Sequence, residues 1–487
     1  MQGQEHSESE LLQIRRDKLT AMQARGIDPF GGRFDTTHEP GHLRRDFAPD
    51  MEVKVAGRVT ARRTMGKAVF FDLSDITGRI QCYVNKKEIG DEAFELLTEL
   101  VDIGDWLAVA GKTFVTKTGE PSVHTATLQV MSKALRPLPD KWHGVTDREI
   151  KYRQRYLDLI SNERSRDVFV QRSLMVAEIR RYLQDRGFLE VETPMMQDVP
   201  GGAAATPFET YFKALSMAMY LRIAPELFLK RLLVGGFTKI FELNRNFRNE
   251  GLSRRHNPEF TMLEAYWAFS DFEQMADLVE SLVCHLAEKF CGGLLIEHKD
   301  EEGNVTRTIN LQRPWKRTAY KDLIRGVAGD DWFEQSLEDK KARCANLGVE
   351  VSAGMVDYEV TQQVFEKLVE EKSFDPLFVT HVPAELVPLA KQNKADGSVV
   401  DVYELVINGQ EISPGYSELN DPIVQRERLA HQAGEETQKV DEEFLLALEY
   451  GMPSAGGIGI GIDRLVMMLT GAESIRDVVL FPQLKKR

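Results

Sequence analysis

The side chains best suited to chemistry lie in one short basic stretch that contains Arg248, Arg254, Arg255 and His256. Arginine offers planar, paired donors to phosphate oxygens, and several cations in one segment can share the charge of a triphosphate. Phe260 adds a flat ring against which a base can lie. A lone pair of arginines is more often a solvated loop, but the unbroken pattern from Arg248 to Phe260 predicts a nucleoside polyphosphate site.

A β-hairpin is the element expected to hold this stretch. Residues 239–247 alternate in polarity as a strand does, and residues 260–267 are apolar and aromatic and predict a second strand. The segment between them contains Gly251, Ser253 and Pro258, which are typical of a loop. The cations are therefore expected at the tip of the hairpin.

The sequence Arg248-Asn-Glu-Gly followed by Arg255-His-Asn-Pro-Glu-Phe260 closely resembles motif 2 of the class II aminoacyl-tRNA synthetases. The resemblance implies that Arg248 is the catalytic residue and bridges the α-phosphate of ATP and the carboxylate of an amino acid. It implies that ATP is bound by Arg248, Glu250, Arg255, His256, Asn257, Phe260 and Arg464. Glu250 and Phe260 would hold the adenine, and Arg255, His256 and Arg464 would take the outer phosphates.

Arg464 follows the glycine-rich run at 456–461, which predicts a strand entering a helix. The run is not a dinucleotide-binding fingerprint, because Ile462 occupies the position of the third glycine, and it lacks the Lys-Ser/Thr pair of a P-loop. It resembles motif 3 of the same family. Upstream, residues 168–186 repeat apolar side chains at helical spacing and are followed by Gly187 and a predicted strand at 188–194. This helix and strand resemble motif 1, which implies a homodimer.

An acidic segment at 402–421 is the second chemically informative stretch. The resemblance places Glu404 and Glu411 at the Mg²⁺ ions that bridge the ATP phosphates, and carboxylate oxygens suit this metal. The two residues would lie on opposite faces of one uninterrupted strand, so we expect a bulge or turn near Gly409. A buried carboxylate beside an aromatic ring selects a lysine side chain, since it pairs with the ammonium while the ring covers the methylenes. The resemblance accordingly implies lysine binding by Glu226, Arg248, Glu264, Tyr266, Tyr416 and Glu418.

Two positions depart from the family pattern. Pro414 stands where the family usually has an asparagine that helps to hold the substrate carboxylate, so Arg248 would hold that carboxylate alone or with water. Tyr211-Phe212-Lys213 stands where His-His-Asn is expected. Both departures bear on amino-acid affinity and not on the class of reaction.

The N-terminal third predicts a small barrel. Strand patterns at 53–59, 69–73 and 80–84 precede a helical segment at 91–101 and two more strands at 106–115 and 123–130. This is the order of an OB fold, a barrel that binds single-stranded nucleic acid by stacking bases on aromatic rings. In this context it resembles the anticodon-binding domain of the class IIb synthetases, above all those for lysine. The matching anticodon-binding positions are Arg63, Phe70, Gln81 and Glu120; either Phe70 or Phe71 must instead fill the barrel.

Length and composition agree with a multidomain soluble protein. We predict an α+β fold: an N-terminal helix and OB barrel over 1–135, a linker over 136–165, and a catalytic domain over 166–487 built on an antiparallel β-sheet flanked by helices. The sequence contains no apolar run of about 18 residues, the N-terminus is not a signal peptide, and four scattered cysteines indicate reduced thiols. A cytoplasmic protein is expected, with neither a membrane nor DNA as a partner, since the net charge of −14 argues against a basic surface.

The resemblance implies ATP-dependent ligation of L-lysine to its tRNA through a lysyl-adenylate, with Mg²⁺ as cofactor. Three alternatives stay open. An aspartyl- or asparaginyl-type ligase shares the barrel and the motifs but would need a basic residue where Glu418 stands. A lysyl-transferase acting on a protein normally lacks the barrel, and a non-catalytic RNA-binding relative would have lost the ATP residues, which are intact here.

Overall fold

The computed structural model describes residues 8–138, 147–300, 302–435 and 440–485. The chain forms two compact units, Met1–Asn162 and Glu163–Arg487. Within the described residues no helix is long and apolar enough to cross a membrane.

The first unit is built around a closed five-stranded barrel in the order β1-β2-β3-β5-β4. Its strands are β1 Glu52–Met65, β2 Ala68–Asp75, β3 Gly78–Asn85, β4 Trp106–Val115 and β5 Pro121–Ser132. Its helices are α1 Glu8–Ala24, α2 Pro40–Arg45, α3 Lys86–Ile89, α4 Asp91–Glu95, α5 Arg148–Arg153 and α6 Arg155–Ser161. The predicted OB order of strands and helix is confirmed.

The segment predicted as a linker contains α5 and α6, so much of it is helical and belongs to the first unit. Residues 139–146 of that segment lie outside the described residues. Phe71 is 1% exposed and fills the barrel, while Phe70 on the alternate face stays partly exposed. This answers which of the two phenylalanines is structural.

The second unit is organised by an eight-stranded, mostly antiparallel sheet in the order β14-β15-β16-β17-β18-β11-β10-β6. The strands of the unit are β6 Leu189–Glu190, β7 Met196–Gln197, β8 Phe208–Phe212, β9 Met217–Leu221, β10 Lys239–Phe247, β11 Glu259–Ala268, β12 Leu295–Lys299, β13 Val305–Asn310, β14 Lys316–Ala319, β15 Leu377–Thr380, β16 Val402–Ile407, β17 Gln410–Ser417 and β18 Ala455–Gly461. Smaller sheets join β12 to β13 and β7, β9 and β8. The strand predicted at 188–194 is therefore only the two residues of β6, because Pro194 and its neighbours do not continue the ladder.

Ten helices are described in this unit: α7 Glu163–Gln184, α8 Glu226–Val234, α9 Phe272–Phe290, α10 Tyr320–Ala328, α11 Leu337–Leu347, α12 Asp357–Leu368, α13 Pro422–Glu435, α14 Glu442–Glu449, α15 Ile462–Thr470 and α16 Ile475–Val478. Helices α7, α9 and α15 cover one face of the sheet, where Leu263, Ile458 and Ile460 join a large apolar core. Side chains alternate between the faces of a strand, so Glu264, Gly457 and Gly459 lie on the opposite face. That opposite face carries the candidate site.

Candidate active site

The hairpin of β10 and β11 holds the basic stretch as the sequence predicts. The two strands pair antiparallel from Lys239 opposite Trp267 to Phe247 opposite Glu259. The ladder ends with the amide of Arg248 donating to the carbonyl of Pro258 at 2.9 Å. Arg248 therefore leaves the sheet at a defined position, and its guanidinium lies 5.2 Å from the centre of the Phe260 ring.

The basic loop and the glycine-rich segment meet in space. Nη2 of Arg464 lies 3.0 Å from Nε2 of His256, and Nη1 of Arg464 donates to the main-chain carbonyl of Glu411 at 2.9 Å. A cleft of about 190 Å³ opens here, and its lining includes the predicted ATP residues Arg248, Glu250, Arg255, His256, Asn257, Phe260 and Arg464. The tertiary structure thus brings together all seven residues of that set.

Asn257 differs from its neighbours in the cleft, because both ends of its side chain bond the protein. Its Nδ2 donates to the carbonyl of Glu259 at 2.6 Å, and its Oδ1 accepts from the amide of Gln483 at 3.3 Å. With 8% of its surface exposed, Asn257 shapes the loop. The loop is further closed by Ser253, whose Oγ lies 2.9 Å from Nδ1 of His256.

A second cavity of about 820 Å³ shares Arg248, Met262, Glu411 and Pro414 with the first. Its lining includes the carboxylates of Glu226 and Glu264, which are 2% and 6% exposed. Glu418, which is 1% exposed, lies beside Gly457 and is not part of this lining. The hydroxyl of Tyr266 donates to Oε2 of Glu264, and the hydroxyl of Tyr416 donates to Oε2 of Glu226, both at 3.1 Å. Five of the six predicted lysine-binding residues therefore line one acidic, aromatic pocket: Glu226, Arg248, Glu264, Tyr266 and Tyr416.

The strand register explains this pocket. Gly457 in β18 lies opposite Tyr266 on one side and Tyr416 on the other, so the two rings flank a position without a side chain. A Cβ at Gly457 would lie 1.9 Å from Oε1 of Glu418 and 2.8 Å from Cε1 of Tyr266. Glycine is therefore required here for the Glu418 carboxylate to fit.

Burial perturbs the acids of this pocket. Burial, followed by repulsion from Glu226, raises the pKa of Glu264 to about 8. Burial also raises the pKa of Glu418, although the nearby Lys230 ammonium opposes the rise. Carboxyls held in this state gain from a cation, because an ammonium favours their ionised form.

Glu404 and Glu411 lie on one face of the β16–β17 hairpin. A tight turn at Asn408 and Gly409, both with positive φ, places Val406 opposite Glu411, and a bulge at Ile412 then places Glu404 opposite Pro414. The predicted turn near Gly409 is confirmed. Burial, followed by repulsion from Glu411 and Glu370, raises the pKa of Glu404 to about 8. This oxygen-rich, mutually repelling set fits a hard dication.

The carboxylates do not form a complete metal cage by themselves. Among the described residues no group of three or more acidic, histidine or cysteine side chains could hold a metal ion. Mg²⁺ typically takes one or two carboxylates and completes its shell with water and phosphate oxygens. Glu404 and Glu411 therefore suit a metal that arrives with a polyphosphate.

The two departures from the family pattern lie at different distances from the chemistry. Pro414 lines both cavities, and its missing N–H is tolerated because the ladder between β17 and β18 begins only at Gly415. Tyr211 and Phe212 are 58% and 43% exposed on β8, and neither lines the two cavities. Only the proline can act directly on a bound amino acid.

In the barrel, Arg63 pairs with Phe70 across β1 and β2. The Phe70 ring lies 4.9 Å from the ring of Tyr83 on the same outer face. The other two predicted anticodon residues already have partners: Gln81 accepts from Ser122 Oγ at 3.0 Å, and Glu120 is bonded by Arg44, which lowers its pKa. Phe70 thus belongs to a ring cluster, while the Glu120 carboxylate would have to share or release Arg44 to reach a base.

Three residues near these sites were not predicted from the sequence. Tyr83 follows Gln81 at strand spacing, which could have marked it as a neighbour on the same face. Lys230 follows Glu226 at helical spacing, which could have marked an ion pair. Glu370 accepts from the Glu411 amide at 3.0 Å, and no local signal distinguishes it from a solvated acid.

Family models match both units. The model for tRNA synthetases class II (D, K and N) matches residues 147–485, and the model for the OB-fold nucleic acid binding domain matches residues 53–131. The chain is 48% identical over 493 residues to the lysine–tRNA ligase of Carboxydothermus hydrogenoformans, covering 99% of this chain and 100% of the relative. It is 45% identical over 506 residues to the lysine–tRNA ligase of Bacillus subtilis, covering both chains completely.

Proposed function

We propose a function and residue roles from one premise: the chain belongs to the class II tRNA synthetases of the D, K and N group. The function is ATP-dependent ligation of L-lysine to its tRNA through a lysyl-adenylate. The observation that carries the choice of lysine is a pocket lined by two buried carboxylates, Glu226 and Glu264, and two tyrosines, beside a cationic cleft. A third buried carboxylate, Glu418, lies near enough to act on both tyrosines. An acidic pocket of this kind favours a long-chain amine and disfavours an aspartate side chain.

In the first step, a carboxylate oxygen of lysine attacks the α-phosphorus of ATP, the bond to the β-phosphate oxygen breaks, and pyrophosphate leaves. Arg248 lines both cavities and is the group that can hold the lysine carboxylate and the α-phosphate together. No protein nucleophile is needed, since positioning and charge neutralisation carry such transfers. The adenylate carbonyl is then attacked by a hydroxyl of the terminal adenosine of tRNA, and AMP leaves.

The remaining roles follow from position. Phe260 and Glu250 hold the adenine, Arg255, His256 and Arg464 hold the outer phosphates, and Asn257 shapes the loop that carries them. Glu226 and Glu264 receive the α-ammonium of lysine, while Glu418 and Tyr266 receive the ε-ammonium and Tyr416 covers the stem. Mg²⁺ held by Glu404 and Glu411 would supply charge neutralisation for the phosphates.

The barrel unit is assigned to the tRNA anticodon. Phe70 offers an exposed ring for base stacking, and Arg63, Gln81 and Glu120 offer polar groups for base edges. We assign residues 1–135 to this module, 136–165 to the connection and 166–487 to catalysis. The four cysteines are free thiols, which agrees with a cytoplasmic location.

A homodimer is also part of the proposal. Helix α7 leaves Leu174 53% exposed, and the groove beside this helix is lined by the exposed Phe481. Exposed apolar surface of this kind suits a second copy of the chain. Molar mass from light scattering tests this assignment, and a monomer at micromolar concentration would contradict it.

One assay tests the proposed function directly. Exchange of labelled pyrophosphate into ATP is measured with lysine, aspartate and asparagine in turn, and charging of a lysine tRNA is measured next. Exchange with lysine alone, followed by charging, is the expected result. Exchange with aspartate or asparagine instead, or with none of the three, would contradict it.

A further inference from the structure

Lys230 is a buried cation that the mechanism above does not use, and it is paired with Glu226 of the acidic pocket. It lies one turn after Glu226 in α8 and is 0% exposed. Its Nζ donates to Oε1 of Glu226 at 2.6 Å and lies 2.5 Å from Oε2 of Glu418. The same ammonium is 5.9 Å from the centre of the Tyr416 ring. One resident lysine thus bridges the two carboxylates that approach the substrate from different elements.

We propose that Lys230 is a positioning residue for the amino-acid site, whose fixed ammonium orients Glu226 and Glu418 and sets the charge that the pocket presents to lysine. The inference rests on the proposed function and adds a residue to it. A buried lysine is costly unless it is paired, and here both partners are themselves buried acids. Burial alone would lower the pKa of Lys230, but Glu226 and Glu418 outweigh burial and raise it, so the group stays an ammonium.

The two carboxylates paired with Lys230 differ in how many of their oxygen atoms are held. Glu226 is held at both oxygens, by Lys230 on one and by the Tyr416 hydroxyl on the other. Glu418 is held by Lys230 at Oε2, while its buried Oε1 has no hydrogen-bond partner among the described residues. Such an unpaired buried acceptor is unfavourable until a donor arrives. Lys230 therefore fixes the carboxylate of Glu226, which lines the larger cavity, and leaves Oε1 of the neighbouring Glu418 unsatisfied.

Charge balance supports the same role. The groups that face one another here are Glu226, Glu264, Glu418, Tyr266, Tyr416 and Lys230, with Arg222 and Arg248 close enough to act on Glu264. Three carboxylates and one resident ammonium leave two negative charges when all are ionised. The two ammonium groups of lysine match this charge, and Arg248 meets its carboxylate. Without Lys230, Glu418 would retain its proton more readily, and the site would bind an ammonium less well.

The test replaces Lys230 with methionine, which keeps an unbranched stem and removes the charge. For Lys230→Met we expect the KM for lysine to rise about tenfold or more, with the KM for ATP changed about twofold at most. The lysine KM should also rise more steeply as pH falls, because Glu418 would take up a proton more easily without the Lys230 ammonium. Lys230→Arg keeps the charge and should recover part of the affinity and the original pH profile.

Lys340→Met is the matched control. Lys340 is also buried, 2% exposed, and paired with a carboxylate, Asp357, at 2.7 Å, but Asp357 lines neither cavity, whereas Glu226, the partner of Lys230, lines the larger one. The substitution of Lys340 should leave the lysine KM unchanged if the effect of Lys230 is specific. A soluble Lys230→Met variant whose lysine KM and pH profile equal those of the wild type would overturn the inference. So would an equal loss in Lys340→Met.

If Lys230→Met does not fold, Gly457→Ala decides the question. The added Cβ would displace the Glu418 carboxylate from its position beside Gly457, and the substitution alters no charge. A loss of lysine affinity that deepens at low pH is expected, because Glu418 separated from Lys230 protonates more readily; a loss that is the same at every pH would overturn the inference. Absence of lysine-dependent exchange in the wild type would instead refute the proposed function, so the two failures are distinguishable.

Discussion

Arg464 and His256 meet at 3.0 Å between Nη2 and Nε2, although 208 positions separate them in the chain. A guanidinium only donates, so His256 accepts here as a neutral ring. Burial, followed by repulsion from Arg464, lowers the pKa of His256. The cleft thus holds a neutral histidine among arginines.

The first prediction concerns ATP binding, because a triphosphate in this cleft would favour the protonated form of His256. Anionic oxygens favour the protonated ring, so the pKa of His256 rises on binding and the complex takes up a proton. ATP affinity should therefore strengthen as pH falls from about 8 to about 6, by no more than about tenfold per pH unit for one proton. The ATP KM measured across this range checks it, and His256→Gln should remove this part of the slope. If the ATP KM of His256→Gln depends on pH as steeply as that of the wild type, the proton taken up on binding goes to another group.

Glu264 gives a pH dependence of the opposite sign for lysine. With its pKa raised to about 8, the carboxyl keeps its proton at neutral pH. Binding an ammonium favours the carboxylate, so a proton is released. Lysine affinity should rise with pH up to about 8 and then level off. Titration calorimetry in two buffers of different ionisation enthalpy measures the released proton, and Glu264→Gln should show no such release from this position.

Arg248→Ala tests the catalytic assignment. Loss of an arginine that lines both cavities should reduce lysine-dependent pyrophosphate exchange by about a thousandfold or more. Arg254→Ala is the control, because Arg254 belongs to the same loop but does not line the cleft. Exchange that survives in Arg248→Ala, or an equal loss in Arg254→Ala, would contradict the role.

The carboxylate pair of the β16–β17 hairpin predicts a metal requirement. Glu411→Gln removes one hard ligand, so a higher Mg²⁺ concentration should be needed for half-maximal exchange. Glu371→Gln is the control, since that acid is exposed and paired with Lys367. Mg²⁺ titrations of exchange that coincide for wild type and Glu411→Gln would exclude Glu411 as a ligand.

Substitutions of the two adjacent phenylalanines in β2 should have different effects, one on tRNA recognition and the other on the stability of the barrel. Phe70→Ala should lower kcat/KM for tRNA by about tenfold to a hundredfold, because stacking on one base contributes roughly 1–3 kcal/mol, while pyrophosphate exchange stays unchanged. Phe71→Ala should instead destabilise the barrel by about 3–5 kcal/mol, as its side chain fills the core. Thermal unfolding and charging kinetics distinguish the two outcomes. Unchanged charging in Phe70→Ala would remove that ring from the tRNA site.

Local sequence patterns were sufficient to predict the elements whose polarity repeats regularly over neighbouring residues. The β10–β11 hairpin, the five barrel strands and the turn at Gly409 follow from alternation, glycine and apolar spacing, since backbone geometry depends on near neighbours. The helix predicted at 168–186 occurs as α7. The short β6 and the helices within the predicted linker were missed because pairing partners and packing, not propensity, decided them.

Only the tertiary structure decided how the acids of the pocket are paired. Glu226 and Lys230 lie in α8, whereas Glu418 directly follows β17. The chain separates Lys230 from Glu418 by 188 positions, yet the two side chains form an ion pair. A sequence shows that a lysine follows a glutamate by one helical turn, but not that its ammonium is sealed from water against a second acid. Burial and electrostatic coupling depend on the whole sheet and its covering helices, so the sequence by itself determined which groups the site contains, while the packed fold determined their charge and orientation.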